Sequence, residues 1–280
     1  MKKISLVISS YRGNEDLVLS CIASLEQQML IPDEVFLVVD TPEEREAFSA
    51  TFSGIRKIPL HILSSGKKGL APARNCGVDA SSGEIIAFID DDATADPRWL
   101  SEIEMGFSSH PDVVVVGGPV YPVFEGRRID EKWNWIIGCT SRHPPTTRPV
   151  GCNMAIAREV FGRTGGFDEG LGRIQNTLSI GEETEVFLRI REMMPGSRII
   201  CNPKATVFHR VPHHRTTLRY MMKRAYQEGI GKAVVGRTHD LGMEKTFLRY
   251  YLTHPDRHTI PVLFATGIGF LRGRLTGQRG

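Results

Sequence analysis

The 280-residue sequence lacks several features that would fix its class at once. It has no run of the roughly 18 apolar residues expected of a membrane-spanning helix. The nearest candidate, 259–271 (TIPVLFATGIGFL), is shorter and interrupted by glycine. The five cysteines (Cys21, Cys76, Cys139, Cys152, Cys201) are odd in number, scattered and without any CxxC pair. That usage argues against a disulfide framework or a zinc ribbon and for a reducing, cytoplasmic setting. A net charge of +3 is too small to mark a nucleic-acid binder, and no partner of that kind is expected. No GxxxxGK[ST] is present, which excludes a P-loop NTPase. The GxG-like runs Gly229-Ile230-Gly231 and Gly267-Ile268-Gly269 follow no strand-like segment, so a dinucleotide fingerprint is missing as well. The opening MKKISLVISSYRG holds only a short apolar run broken by serines, and reads as a first β-strand, not a signal peptide.

What is there is ordinary globular material. Hydrophobic residues make up 41% and charged residues 24%, enough to build a core in one large α/β domain or two small ones. Strand and helix signals alternate through the first half. Segments 4–9, 34–39, 59–63, 85–89 and 113–116 read as strands, and 85–89 is an unbroken apolar run of the kind covered on both faces. Segment 14–28 carries Leu17, Cys21, Ile22 and Leu25 at near-helical spacing behind a capping Asn14. Thr41 followed by Pro42 marks the cap and first position of a second helix, and 71–80 and 97–107 add two more. Such alternation predicts a parallel, doubly wound sheet with right-handed crossovers and ligands beyond the carboxyl ends of its strands. Residues 9–11, Asp40 and Asp90-Asp91-Asp92 fall at those ends.

The second half is less regular. Residues 119–149 are rich in proline, arginine and aromatics; 153–157 reads as a strand and 182–194 as a helix. In that helix Val186, Ile190 and Met193 form an inner stripe, with Glu185 and Arg189 as an outward i,i+4 pair. From Thr216 onward the chain is helical and basic, with Arg215, Arg219 and Lys223 at i, i+4 and i+8. That series is either a solvated helix face or a contact for phosphates.

The strongest chemical signal is Asp90-Asp91-Asp92 after the apolar strand. Three adjacent carboxylates repel one another and call for a compensating cation. Mg²⁺ and Mn²⁺ prefer oxygen ligands and often take one or two carboxylates together with substrate phosphates.

Taken together, the stretches SLVISSYRG, CIASLEQQMLIPDEVFLVVD, GLAPARNCGVDASSGEIIAFIDDDATADPRWL, CNMAIAREVFGRTGGFDEGL, GEETEVFLRI and FHR resemble, in order and spacing, the family 2 glycosyltransferases. The resemblance implies a GT-A-type, Rossmann-like, mostly parallel α/β sheet flanked by helices, followed by a C-terminal helical tail. It implies a nucleotide-sugar-binding half at 1–118, an acceptor-binding half of the same domain at 119–215, and the tail at 216–280. By the same resemblance Ser9, Tyr11, Asp40, Arg74, Asn75, Asp90 and Asp91 bind the donor. Asp90 and Asp92 are the DxD acids holding Mg²⁺ or Mn²⁺, and His209 matches a histidine that joins the metal or diphosphate. Glu183 matches the catalytic base, usually an aspartate; Glu182 beside it leaves the choice between the two open. Gly165-Gly166-Phe167 with Asp168 matches the acceptor side.

The activity so implied is inverting transfer of a sugar from a UDP-, GDP- or dTDP-linked donor to a hydroxyl of a glycan or lipid-linked acceptor, in cell-envelope synthesis. The QxxRW pattern of processive synthases is missing, which points to single additions. A sugar-nucleotide pyrophosphorylase and a non-catalytic nucleotide-sugar binder are the rival readings. The tail is read in two ways: 259–271, bracketed by Arg257, Arg272 and Arg274, is a peripheral anchor at the cytoplasmic face of the membrane, or it is a helix buried against the domain.

Overall fold

The computed structural model describes residues 2–10, 14–55, 57–143, 148–171, 181–236 and 244–276. The first half alternates strand and helix: β1 (Ile4–Ser9), α1 (Glu15–Leu25), β2 (Glu34–Val39), α2 (Pro42–Thr51), β3 (Leu60–Ser64), α3 (Leu70–Ala80) and β4 (Ile85–Asp90). Then come β5 (Ala93–Ala95), α4 (Trp99–Ser109), β6 (Val113–Gly117), β7 (Val120–Phe124), β8 (Met154–Ala157) and α5 (Arg158–Thr164). The chain continues through α6 (Glu182–Met193), β9 (Arg198–Cys201), β10 (Val207–Val211), α7 (Leu218–Val235), α8 (Glu244–Thr253) and α9 (Thr259–Thr276).

Seven strands form one sheet in the order β3-β2-β1-β4-β8-β6-β9. Only β8 runs antiparallel, to β4 on one side and β6 on the other. It comes from the second half of the chain and sits between two strands of the first, so both halves share one sheet. A smaller sheet, β5-β10-β7, lies beside it.

The main sheet follows directly from period-two patterning. Ile4, Leu6 and Ile8 of β1, with Val35, Leu37 and Val39 of β2, enter one buried cluster under α1, α2 and α4. Val7, Phe36, Val38, Ile86 and Phe88 enter another on the opposite face, with α3, α5 and α6. Both faces are covered, as the unbroken run of β4 predicts. Gly77 lets α3 lie close on β1, where a Cβ would come within 2.4 Å of Val7 Cγ1. Asn153 staples the two sheets together. Its Oδ1 accepts from Trp99 Nε1 at 2.8 Å, and its Nδ2 donates to the carbonyls of Ala205 and Pro119 at 2.8 and 3.0 Å.

Two helix readings need correcting. In α6, Val186 and Ile190 are buried but Met193 is exposed, and Phe187 and Leu188 complete the inner face. The Glu185–Arg189 pair forms, yet it is not outward: Arg189 also donates to the carbonyls of Thr164 and Gly166 at the end of α5. The basic series also breaks, because Arg215 lies in a 3₁₀ turn (His213–Thr216) ahead of α7. Arg219 and Lys223 are left exposed.

The tail is joined to the domain through the 3₁₀ segment Glu131–Ile137. Trp133, Met221, Tyr251, Val262 and Ala265 form a common cluster. Asp256 accepts from Trp133 Nε1 at 2.8 Å, the His258 N–H at 2.8 Å and Thr259 Oγ1 at 3.0 Å, and pairs with Lys132 at 3.2 Å. Burial pushes its carboxyl up, but these four donors outweigh that and bring it down to about 2. A depressed carboxylate contributes stability above its unfolded value of about 4, lost as pH falls through about 2. Solvent screening holds that share to on the order of 1 kcal/mol. Asp256→Ala also strands the buried Trp133 donor and leaves Lys132 with only the His254 carbonyl, at 2.8 Å, and we expect a total loss of about 2–3 kcal/mol. Urea titration at pH 7 and pH 3 checks this: the variant's deficit should shrink at the lower pH.

Candidate active site

A cleft opens beyond the carboxyl ends of β1, β2 and β4. Ser9 and Ser10 enter it from the end of β1, Asp40 from the end of β2, and Asp90, Asp91 and Asp92 from the end of β4. The opposite wall holds Glu182 and Glu183 from the first turn of α6, His209 from β10, and Arg215, Tyr220 and Arg224 from the start of the tail. Arg74 of α3 lies between the two walls. The structure therefore brings together Ser9, Asp40, Arg74, Asp90, Asp91, Asp92, Glu182, Glu183 and His209. Tyr11 lies outside the described residues. Asn75 is turned away from the cleft and tethers Phe167, donating to its carbonyl at 2.9 Å and accepting from its N–H at 2.8 Å.

Local sequence explains much of the placement. At α2 the cap is Thr41, paired with Glu44 in a capping box, so the Asp40 side chain is not used for capping. Burial raises the Asp40 carboxyl, partly offset by the Gly69 N–H at 3.3 Å. Gly181, at φ 114°, starts α6 in a backbone conformation that favours glycine and sets two glutamates in the first turn. The helix dipole favours carboxylates there.

The acids are not alone. Arg74, 1% exposed, reaches Glu182 Oε1 at 2.9 Å and Asp90 Oδ1 at 3.3 Å. Asp92 is held by His209 Nε2 and Arg215 Nη2, each at 3.2 Å. Asp91 accepts from Ser10 Oγ at 2.7 Å. Burial alone would lower the His209 imidazolium, but the Asp92 carboxylate overcomes this, with Cys139 at 3.6 Å, and carries it up to about 10. As placed, His209 Nε2 faces both Asp92 and the Arg215 guanidinium, which lies 3.4 Å away. Burial, reinforced by Glu183, pushes the Glu182 carboxyl up to about 8 against the pull of Arg74. Glu183 differs: its Oε2 is buried and has no hydrogen-bond partner.

Among the described residues no three His, Cys, Asp or Glu side chains form a ready-made metal cage. The cleft nonetheless collects six carboxylates against three arginines and a histidine. Oxygen donors in excess, without a closed cage, fit a hard divalent ion that takes much of its coordination from a phosphate ligand.

Ser10 lies in the 9–11 segment that sequence placed at the ligand edge, whereas Tyr220, Arg224 and the buried thiols Cys139 and Cys152 were missed. Arg224 follows Lys223 directly, and one residue of helix rotation separates the exposed position from the cleft wall. The Cys152 thiol is raised well above its usual range by burial and by nearby Asp90, as expected of an inert, structural thiol.

Residues 5–166 match the family described as Glycosyl transferase family 2. The chain belongs to that family. This glycosyltransferase is 31% identical over 243 residues to the glucosyl-dolichyl phosphate glucuronosyltransferase of Haloferax volcanii, covering 83% of this chain and 77% of the relative. It is 27% identical over 227 residues to the succinoglycan biosynthesis protein ExoM of Rhizobium meliloti, covering 73% and 66% of the two chains. Among solved structures, a mannosyltransferase from Pyrobaculum calidifontis, in complex with GDP-Man and Mn²⁺, superposes with a TM-score of 0.64 at 18% identity. That match covers 99% of this glycosyltransferase and 76% of its neighbour, and establishes the GT-A fold.

Proposed function

We propose that this glycosyltransferase moves a sugar from a nucleotide-diphosphate donor to a hydroxyl of a lipid-linked or glycan acceptor, with inversion and with a divalent cation. The observation that carries the reading is the meeting, in one cleft, of the β4-end carboxylates with a glutamate oxygen that has no partner. Ser9 and Asp40, at the ends of β1 and β2, line the nucleotide end of that cleft. Glu183 takes the proton of the acceptor hydroxyl. The freed oxygen pair bonds to the anomeric carbon from the face opposite the diphosphate, and the carbon–oxygen bond to the diphosphate breaks with its electrons. Arg215 and Arg224 lie where cationic charge offsets the departing diphosphate. Asp90 and Asp92 would hold Mg²⁺ or Mn²⁺, with His209 beside them, and the ion supplies further neutralisation of the diphosphate. The names of the Haloferax and Rhizobium relatives support an acceptor in glycolipid or polysaccharide synthesis.

A panel of nucleotide sugars, followed for slow donor hydrolysis and for transfer, tests the proposal. We expect one donor to be consumed, EDTA to stop the reaction, and Mn²⁺ or Mg²⁺ to restore it. Asp92→Asn should nearly abolish turnover and, because His209 and Arg215 lose their carboxylate, lower Tm while leaving the far-UV circular dichroism of the fold intact. Full activity of that variant in EDTA would remove the metal assignment.

A further inference from the structure

The outward face of α9 runs against ordinary helix patterning. Its large apolar residues Ile260, Phe264, Ile268, Leu271 and Leu275 are exposed, Ile260 at 80% and Leu275 at 85%. At helical pitch these five fall in one arc of about 80° along the whole helix. Val262, Ala265, Gly269 and Gly273, all buried, occupy a similar arc on the opposite side. The inner side is narrow by necessity. A Cβ at Gly269 would lie 1.9 Å from the Tyr226 carbonyl oxygen, and one at Gly229 only 2.1 Å from that of Thr266. The helix is thus fixed on α7 through small residues while its bulk points away. With Leu248 and Leu252 of α8, this short region holds seven of the sixteen exposed large hydrophobics among the described residues.

Arg272 and Arg274 flank the stripe on either side, and exposed Arg249 and Arg257 lie nearby. The segment of α9 contains no Asp or Glu. An apolar stripe bordered by exposed arginines complements a surface that offers anionic groups above an apolar layer. No helix among the described residues is long and apolar enough to cross a membrane.

We propose that the outer stripe of α9 lies in the headgroup plane of an anionic bilayer, with its flanking arginines on lipid phosphates. The same hairpin makes this functional: α7 packs on α9 through Gly229 and, one to three turns earlier, lines the catalytic cleft with Tyr220 and Arg224. Docking α9 brings that wall of the cleft to the membrane surface. The proposal rests on the lipid-linked acceptor suggested above. It resolves the two readings of the tail by joining them: the helix packs back on the domain and still presents an interfacial face.

The test is co-sedimentation of the full chain with vesicles of phosphatidylcholine alone or with phosphatidylglycerol, at low and high salt. Donor hydrolysis in vesicle-free buffer is measured on the same samples. We expect binding about ten-fold or more stronger with phosphatidylglycerol, weakened by salt. Phe264→Glu with Leu271→Glu should lower it at least about ten-fold, leaving hydrolysis and far-UV circular dichroism unchanged. Wild-type protein staying in the supernatant with every vesicle would overturn the inference while hydrolysis still reports on the proposed activity. So would a wild-type dimer that this double variant converts to monomer, which would make the stripe an interface between copies.

Discussion

Glu183→Gln is expected to lower kcat by about 10²–10⁴-fold and to leave donor affinity within about two-fold. The amide keeps the size and the buried position of the carboxylate and removes only its capacity to accept a proton. That capacity is used only as the acceptor hydroxyl attacks, so the ground-state complex with the donor is unaffected. Glu182→Gln is the control. Glu182 already bonds the buried Arg74 through Oε1, and burial pushes its carboxyl up to about 8. A glutamine there keeps an oxygen for that bond, and kcat should fall far less. The pH sign also separates the two. A carboxyl raised in the fold releases its proton more readily when unfolded, so its contribution to stability declines as pH rises from about 4.5 to about 8. Glu182→Gln should flatten that decline. Single-turnover rates and equilibrium donor binding for both variants decide the assignment; a dead Glu182→Gln beside an active Glu183→Gln would reverse it.

The choice between the two glutamates marks where sequence stops. Both sit behind Gly181 in a predicted helix start, and nothing in their order tells which one an arginine 108 residues away will occupy. The strands show the same boundary. β1, β2 and β4 are buried on both faces, and that burial is written most plainly in β4, whose IIAFI is an unbroken apolar run. β10 alternates buried and exposed residues and carries His209 inward, while β7 contains Pro122 and β5 has three residues. Such strands are fixed by the long-range partner that pairs with them: β5 is too short to read locally, and a proline inside β7 argues against a strand. The acids at the strand ends were legible because topology alone assigns ligands to that edge. Their cations were not. Arg215, Arg224 and Tyr220 arrive from the tail, which no periodicity relates to the sheet. Arg74 was legible as a position but not as a contact: its helix was predicted, its burial was not.

That burial gives the other large expectation. Arg74→Met should lower stability by about 3 kcal/mol, or roughly 6–12 °C in Tm. The guanidinium is enclosed, with Phe167 5.6 Å from its carbon, and Gly151 so close that a Cβ there would meet Nη2 at 2.7 Å. Its fork spans two carboxylates on different elements, Asp90 at the end of β4 and Glu182 at the start of α6. Removing one partner of a buried pair usually costs about 3–5 kcal/mol; the low end applies because Glu182 can take up a proton. Arg74→Lys should recover little, since an ammonium cannot bridge both acids with fixed geometry. Resemblance assigns Arg74 to the donor, whereas its contacts describe a strut between Asp90 at the end of β4 and the first turn of α6. The double variant Arg74→Met/Glu182→Gln separates these roles. If Arg74 is a strut, neutralising its buried partner should restore about half of the lost Tm and return donor affinity toward wild type. If the arginine grips the donor directly, Tm recovers but affinity stays as weak as in the single variant, because no change at Glu182 replaces a missing cation on the diphosphate. Thermal melts and donor titrations on the three proteins, side by side, give the two readouts independently.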